Sequence, residues 1–327
     1  MITPGTPTCT AGPCLYHSYL CQGCPYKDAL MYENYYQTAD YADRWILGAL
    51  DGTSATFTGG AGDTSFASVD ASTRVECAQR GTVYLSVWMW VLRKLEEGLD
   101  DCAAGCVSCN DHGTHAWDEA VAFYTGSLAA NATSGEMLFS LANSLCAHYN
   151  TCAYDGLAAV NVALFTAFTS GQGHLTASRC AQARPVVERI ADLMSVPLIQ
   201  GALRAAYQLA HLGGGRRERA AGAAFAAAIL PRLAACDVTA ASTVNANLRL
   251  GATHTVFEDV QRAFETHYNC LNVTCGDIGG LWDGSVGSYM AHFSPCVTSP
   301  SPPPIPAVGR PSFSSTASPP PSSGSSL

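Results

Sequence analysis

Apolar positions recur at helical spacing along most of the chain. Between residues 28 and 50, Leu30, Tyr35, Tyr41, Trp45 and Leu50 stand at mixed helical intervals, and Asp51-Gly52 closes the run. The clearest predicted helix covers 70–99, with Asp70 as N-cap, a stripe of Val83, Val87, Trp90 and Val91, and Gly98 weakening its end. Further helices are expected over 115–130, 135–149, 156–169, 178–194, 198–212, 217–235 and 240–268. Pro197 is expected to break or kink the run that contains it, because its ring removes a backbone donor. Residues 52–69 read as a Gly/Thr/Ser-rich loop, and 217–235 is Ala-rich, with side chains small enough for close helix approach. No long period-two run of β-branched residues stands out. The pattern predicts an all-α fold, a multi-helix bundle of about eight to ten helices.

Composition divides the chain into three parts. Residues 1–27 form a lead-in rich in Cys, Pro and Gly, 28–296 carry the helical domain, and 297–327 are a Ser/Pro-rich tail. The tail has scarcely anything to bury and reads as a disordered polyproline spacer of the kind that carries O-linked sugar and faces a cell wall. Charged residues make up only 13% of the 327, against about 25% in ordinary soluble domains. The net charge of −9, from 17 Lys+Arg and 26 Asp+Glu, comes without any basic run and argues against a nucleic-acid partner. No run of 18 or more apolar residues marks a transmembrane segment. Met1-Ile2-Thr3-Pro4-Gly5 lacks the basic and apolar regions of a signal peptide, as a mature or trimmed chain would.

The fifteen cysteines change the picture most. Eleven of them fall into close groups, Cys9/Cys14/Cys21/Cys24, Cys102/Cys106/Cys109, Cys146/Cys152 and Cys270/Cys275. Two C-x-x-C pairs, Cys21/Cys24 and Cys106/Cys109, have zinc-compatible spacing. The remaining cysteines are scattered through helical stretches, which suits disulfides in an oxidising compartment better. An odd total leaves at least one thiol free, paired between chains, or matched outside this sequence. Two N-glycosylation acceptors, Asn131 in Asn131-Ala-Thr133 and Asn272 in Asn272-Val-Thr274, agree with a secreted, periplasmic or wall location.

The most informative polar turn is Asp111-His112-Gly113-Thr114-His115-Ala116-Trp117-Asp118-Glu119. His115 precedes Asp118 and Glu119 by three and four residues, so the side chains share a helix face and offer half of a metal site. The competing reading is a surface His–Glu pair with acids placed for the helix dipole. His254 and Glu258 repeat the spacing further on, and helix bundles build metal sites from such turns on separate helices. Glu76, Glu188, Asp40 and Asp43 lie within otherwise apolar helices, where burial demands a partner. That partner is either a metal or a neighbour such as Arg44, Arg74 or Arg189. Tyr32, Tyr35, Tyr36 and Tyr41 offer phenolate to ferric iron or, more commonly, amphipathic core packing. There is no nucleophile elbow, P-loop, zinc-protease helix or dinucleotide fingerprint, so binding rather than catalysis is expected.

Trp117-Asp-Glu-Ala-Val-Ala-Phe-Tyr-Thr-Gly-Ser127 resembles the signature of the algal iron-assimilating proteins, also described as high-CO2-inducible periplasmic proteins. Tyr41-Ala-Asp-Arg-Trp45, Trp88-Met-Trp-Val-Leu-Arg93, Val196-Pro-Leu-Ile-Gln-Gly201 and Cys275-Gly-Asp-Ile-Gly-Gly280 look like the same family, across roughly residues 30–285. Gly113-x-His115-x-x-Asp118 is also similar to the G-x-H-x-x-E turn of imelysin-type periplasmic proteins, with Asp118 in place of Glu. The resemblance implies an extracellular or periplasmic protein that binds ferrous or ferric iron and hands it to a surface transporter or reductase. It turns the balance at His115 and Asp118 toward a metal, followed by Glu76, then Glu119, His254 and Glu258. The alternative is a wall-associated structural glycoprotein without metal, its acids paired with arginines.

Overall fold

The computed structural model describes residues 25–107, 113–126, 135–153 and 156–296, together with the backbone of a two-residue pair, β1 (Thr8–Cys9) and β2 (Gly12–Pro13). Most of the lead-in, Cys109, Asn131 and the 297–327 tail lie outside the described residues.

The architecture is all-α, as the periodicity predicts. The run expected over 28–50 is two helices, α1 (Lys27–Tyr36) and α2 (Tyr41–Asp51), because Gln37 turns left-handed at φ 55°. Gly52 ends α2 at φ 72°, its N–H donating to the Gly48 carbonyl, the usual glycine stop. The loop beyond carries a short antiparallel pair, β3 (Ser54–Ala55) and β4 (Thr64–Ser65). Asp70 caps α3 (Ala71–Gly81) as its sequence position predicts, its carboxylate accepting the Thr73 N–H at 3.1 Å. α3 then runs through a π-helical segment, Thr82–Val87, into α4 (Trp88–Ala103).

α5 (Thr114–Thr125), α6 (Leu138–Tyr149) and α7 (Ala159–Thr176) follow. The two helices expected on either side of Pro197 are one continuous helix, α8 (Cys180–His211), which contains both Pro185 and Pro197. An internal proline costs about 3 kcal/mol. Ile190, Leu193, Val196, Leu198, Ile199 and Leu203 of the same helix are each at most 1% exposed, and burial of each such side chain contributes roughly 1.5–3 kcal/mol. Burial therefore outweighs the proline.

α9 (Arg216–Cys236) is long and apolar enough to cross a membrane by composition, yet 72% of that window is buried among neighbouring helices. Small residues of α9 do meet α8 closely: a Cβ on Gly222 would lie 3.2 Å from the Ala205 Cβ. α8 comes so close that a Cβ on Gly201 would lie 2.3 Å from the Phe225 ring. The stretch expected over 240–268 is broken into α10 (Val238–Leu248) and α11 (Phe257–Glu265), because Asn247 turns its side chain to the Val256 N–H at 2.6 Å. α12 (Cys275–Ile278) and the β5–β6 pair (Trp282–Asp283, Ser288–Tyr289) close the domain. The core centres on α8 and α9, with α4, α6, α7 and α11 against α8 and α1, α3 and α10 against α9.

Four disulfides join described cysteines: Cys102–Cys180, Cys146–Cys152, Cys236–Cys270 and Cys275–Cys296. Cys270 and Cys275, neighbours in sequence, thus take separate partners. Cys77 is a free, buried thiol whose pKa is pushed up to about 12 by burial, which leaves it unreactive. Cross-links across this much of the chain agree with an oxidising compartment.

Candidate functional site

The residues singled out in the sequence do not gather. α5 presents His115, 59% exposed, with Nε2 3.5 Å from Glu119 Oε1. Glu119 has a stronger partner in Lys94, whose Nζ stands 2.7 Å away and whose hydrogen bond holds the carboxyl below the usual range. Asp118 faces α7 and accepts from Gln172 Nε2 at 2.7 Å. Glu76 is clasped one turn on by Arg80 Nε at 2.8 Å, with Arg217 3.8 Å away. Glu258 pairs with His211 at 3.3 Å, while His254 is exposed on the preceding loop. Among the described residues no group of three His, Cys, Asp or Glu side chains is placed to hold a metal ion. Asn272 is exposed, its carbonyl accepting from Arg189 Nη1 at 2.7 Å. Tyr32 and Tyr36 of α1 are core, donating to the Ala228 and Ala227 carbonyls of α9 at 2.5 and 2.6 Å, with Tyr35 partly buried beside them. Burial pushes their phenols well above the ordinary value, away from phenolate.

Charge chemistry that spacing did not expose lies inside. Arg232, on the Ala-rich face of α9, bonds Asp28 of α1 with Nη1 and Asp192 of α8 with Nη2, the latter at 2.5 Å. All three side chains are nearly inaccessible. Burial raises the Asp192 carboxyl, and the guanidinium opposes that rise. Arg184 closes on Glu96 of α4 in the same way, 2.6 Å from both oxygens. The sequence signal was the lone arginine in Ile229-Leu-Pro-Arg232-Leu: a cation in so apolar a helix requires counter-charges from other helices.

These pairs back a cavity of about 310 Å³ between α1, α2, the π segment and α4. Leu85, Met89, Leu92 and Val187 give it an apolar wall, and Tyr26, Tyr41 and Trp90 an aromatic one. Its size lies at the lower end of small-ligand pockets, and π segments recur at functional sites. Leu85 and Ser86 of the π segment both face it. The carboxylates of Asp28 and Glu96 at the wall are neutralised from behind by Arg232 and Arg184. Arg93 gives Nη1 to the Tyr26 hydroxyl at 3.0 Å, and that hydroxyl donates to Asp100. Four polar groups of the lining have no hydrogen-bond or ion-pair partner among the described residues: the Glu33 carboxylate, the hydroxyls of Tyr41 and Ser86, and the Trp90 indole N–H, with Glu33 and Trp90 exposed to solvent.

No family model, curated protein or solved structure matches this chain. The functional reading therefore stands on the cavity and on the sequence resemblance alone.

Proposed function

We propose that this chain is a binding protein of an oxidising, extracytoplasmic compartment, serving iron acquisition at the cell surface, and that it holds iron in an organic complex rather than as a bare ion. The cavity beside the π segment carries the reading. It joins apolar and aromatic walls to polar groups that the protein leaves unpartnered, which is the makeup of a small-molecule seat. A bare ion needs several donors converging at roughly 2.0–2.6 Å, and Glu119, Glu258 and Glu76 are instead carboxylates already engaged by Lys94, His211 and Arg80. Disulfides support the compartment, and the algal resemblance supports iron as the cargo, delivered onward to a transporter or reductase.

Loading the full chain with ferrous sulfate or with a ferric trihydroxamate bearing a free aminoalkyl arm, the part small enough to enter the cavity, then measuring retained iron after desalting, tests this. Stoichiometric retention from the complex, none from the salt, and loss of retention in Ala42→Trp, which fills the cavity, is the expected result. Stoichiometric retention from the salt, unaffected by Ala42→Trp, would overturn the cavity as the seat. The second reading, a wall-associated glycoprotein without metal, is favoured by the ion pairs that engage Glu76, Glu119 and Glu258. It gains if neither source leaves iron on the chain.

A further inference from the structure

Within the lining of the cavity carboxylates outnumber cations, which says what kind of molecule fits. Its lining holds three carboxylates, Asp28, Glu33 and Glu96, against one guanidinium, Arg93. Arg232 and Arg184 compensate Asp28 and Glu96 from outside the cavity. Arg93 is occupied at the mouth, its Nη1 on the Tyr26 hydroxyl and its Cζ 5.2 Å from the Tyr26 ring centroid. Glu33, exposed to solvent on α1 at the open side of the cavity, is the lining carboxylate with no counter-ion among the described residues.

The aromatic surfaces at the mouth already attract cations from the protein itself. Lys94 Nζ sits 5.5 Å from the Trp90 ring centroid, as Arg93 does over Tyr26. The negative face of such rings stabilises an ammonium group that has given up part of its water. Behind the mouth, Leu85, Met89 and Leu92 suit a hydrocarbon body.

We propose that this cavity binds an organic ammonium ion, with Glu33 as its counter-charge, the Tyr41 and Ser86 hydroxyls as hydrogen-bond partners, and the apolar wall as the seat of its carbon skeleton. The inference rests on the cavity being the ligand seat but not on iron. An amine-bearing iron carrier and an iron-free amine share the feature that is recognised, and experiment separates them.

The test uses three iron-free probes of nearly equal shape, phenethylamine, phenylethanol and phenylacetate, titrated calorimetrically into the full chain. The amine is expected to bind about tenfold or more tightly than the alcohol, and the acid most weakly. Glu33→Gln removes the charge and keeps the shape, so it brings amine and alcohol to equal affinity. Tyr41→Phe weakens the amine and the alcohol alike, and Ala42→Trp abolishes binding of all three while the helical circular dichroism is retained. The inference is overturned if the acid binds as well as the amine, if the preference survives Glu33→Gln, if Ala42→Trp leaves binding intact, or if no probe binds. Selective amine binding with no iron retained from the trihydroxamate would leave this inference standing and remove iron from the proposed function.

Discussion

The acid–histidine turn of α5 and the buried cluster around Arg232 contain similar chemistry in opposite settings. On α5, His115, Asp118 and Glu119 share a helix face within one turn, and each finds a partner at the surface: Glu119, Gln172 and Lys94. Around Arg232, Asp28 and Asp192 come from helices 204 and 40 residues away in sequence and meet out of reach of water. Neighbours on one helix turn need only local geometry, and in water their attraction is small. Partners gathered from three helices in a dry interior depend on the whole fold, and losing one leaves a stranded charge. Polar groups that carry consequences are therefore the ones the fold assembles, and the cavity belongs with them, since Asp28 serves both cluster and wall.

The largest expected effect comes from Arg232→Met, which leaves two buried carboxylates uncompensated and should cost about 3–5 kcal/mol in urea unfolding. Converting all three residues to apolar ones, Arg232→Met with Asp28→Leu and Asp192→Leu, should recover most of that loss, because an apolar triad carries no desolvation penalty. A loss below about 1 kcal/mol for the single variant would mean the cluster is no different from a surface pair.

Titration should separate the two settings by the sign of its slope. Asp192 and Glu96 have folded pKa values raised by burial. Their favourable share of stability is complete below the unfolded carboxylate value and is lost as pH rises through the raised folded value, so the cost of Asp192→Asn shrinks across that window. Glu119 is depressed, first by its hydrogen bond from Lys94. Its share is present above the unfolded value and is lost as pH falls through the depressed one, so the cost of Glu119→Gln grows with rising pH. Denaturant midpoints of both variants beside wild type, taken from strong acid to neutrality, would show opposite slopes; parallel slopes would erase the distinction. The smallest effect belongs to His115→Ala/Asp118→Ala, within about 0.5 kcal/mol of wild type by the same assay.

Much of the fold was legible. Helical period predicted the all-α class, Asp70 its cap, Asp51-Gly52 its stop, and the run of small residues in α9 a close helix contact, which falls at Gly222. Two breaks were not where local rules put them. Pro197 lies within α8 because burial on every side of that helix outweighs one missing hydrogen bond, whereas a break falls at Gln37, a residue without a marked left-handed preference. The site was harder to read. Spacing finds residues on one face of one helix, so it found His115 and Glu119; it cannot bring Asp28, Asp192 and Arg232 together. The lone arginine in α9 was the signal available, and it pointed to missing partners without naming them. Tyr41 was noted for its phenol, and it is the position of that hydroxyl in the cavity that gives it a role.

The most direct measurement is calorimetric titration of the amine-bearing ferric trihydroxamate into wild type, Ala42→Trp and His115→Ala/Asp118→Ala, with circular dichroism to verify each fold. An amine arm seated in the cavity predicts that Ala42→Trp loses affinity by about tenfold or more, while the surface double variant binds as wild type does. Unchanged binding in Ala42→Trp, with loss in the His115/Asp118 variant, would return the site to the turn of α5 and contradict the reading given to the cavity.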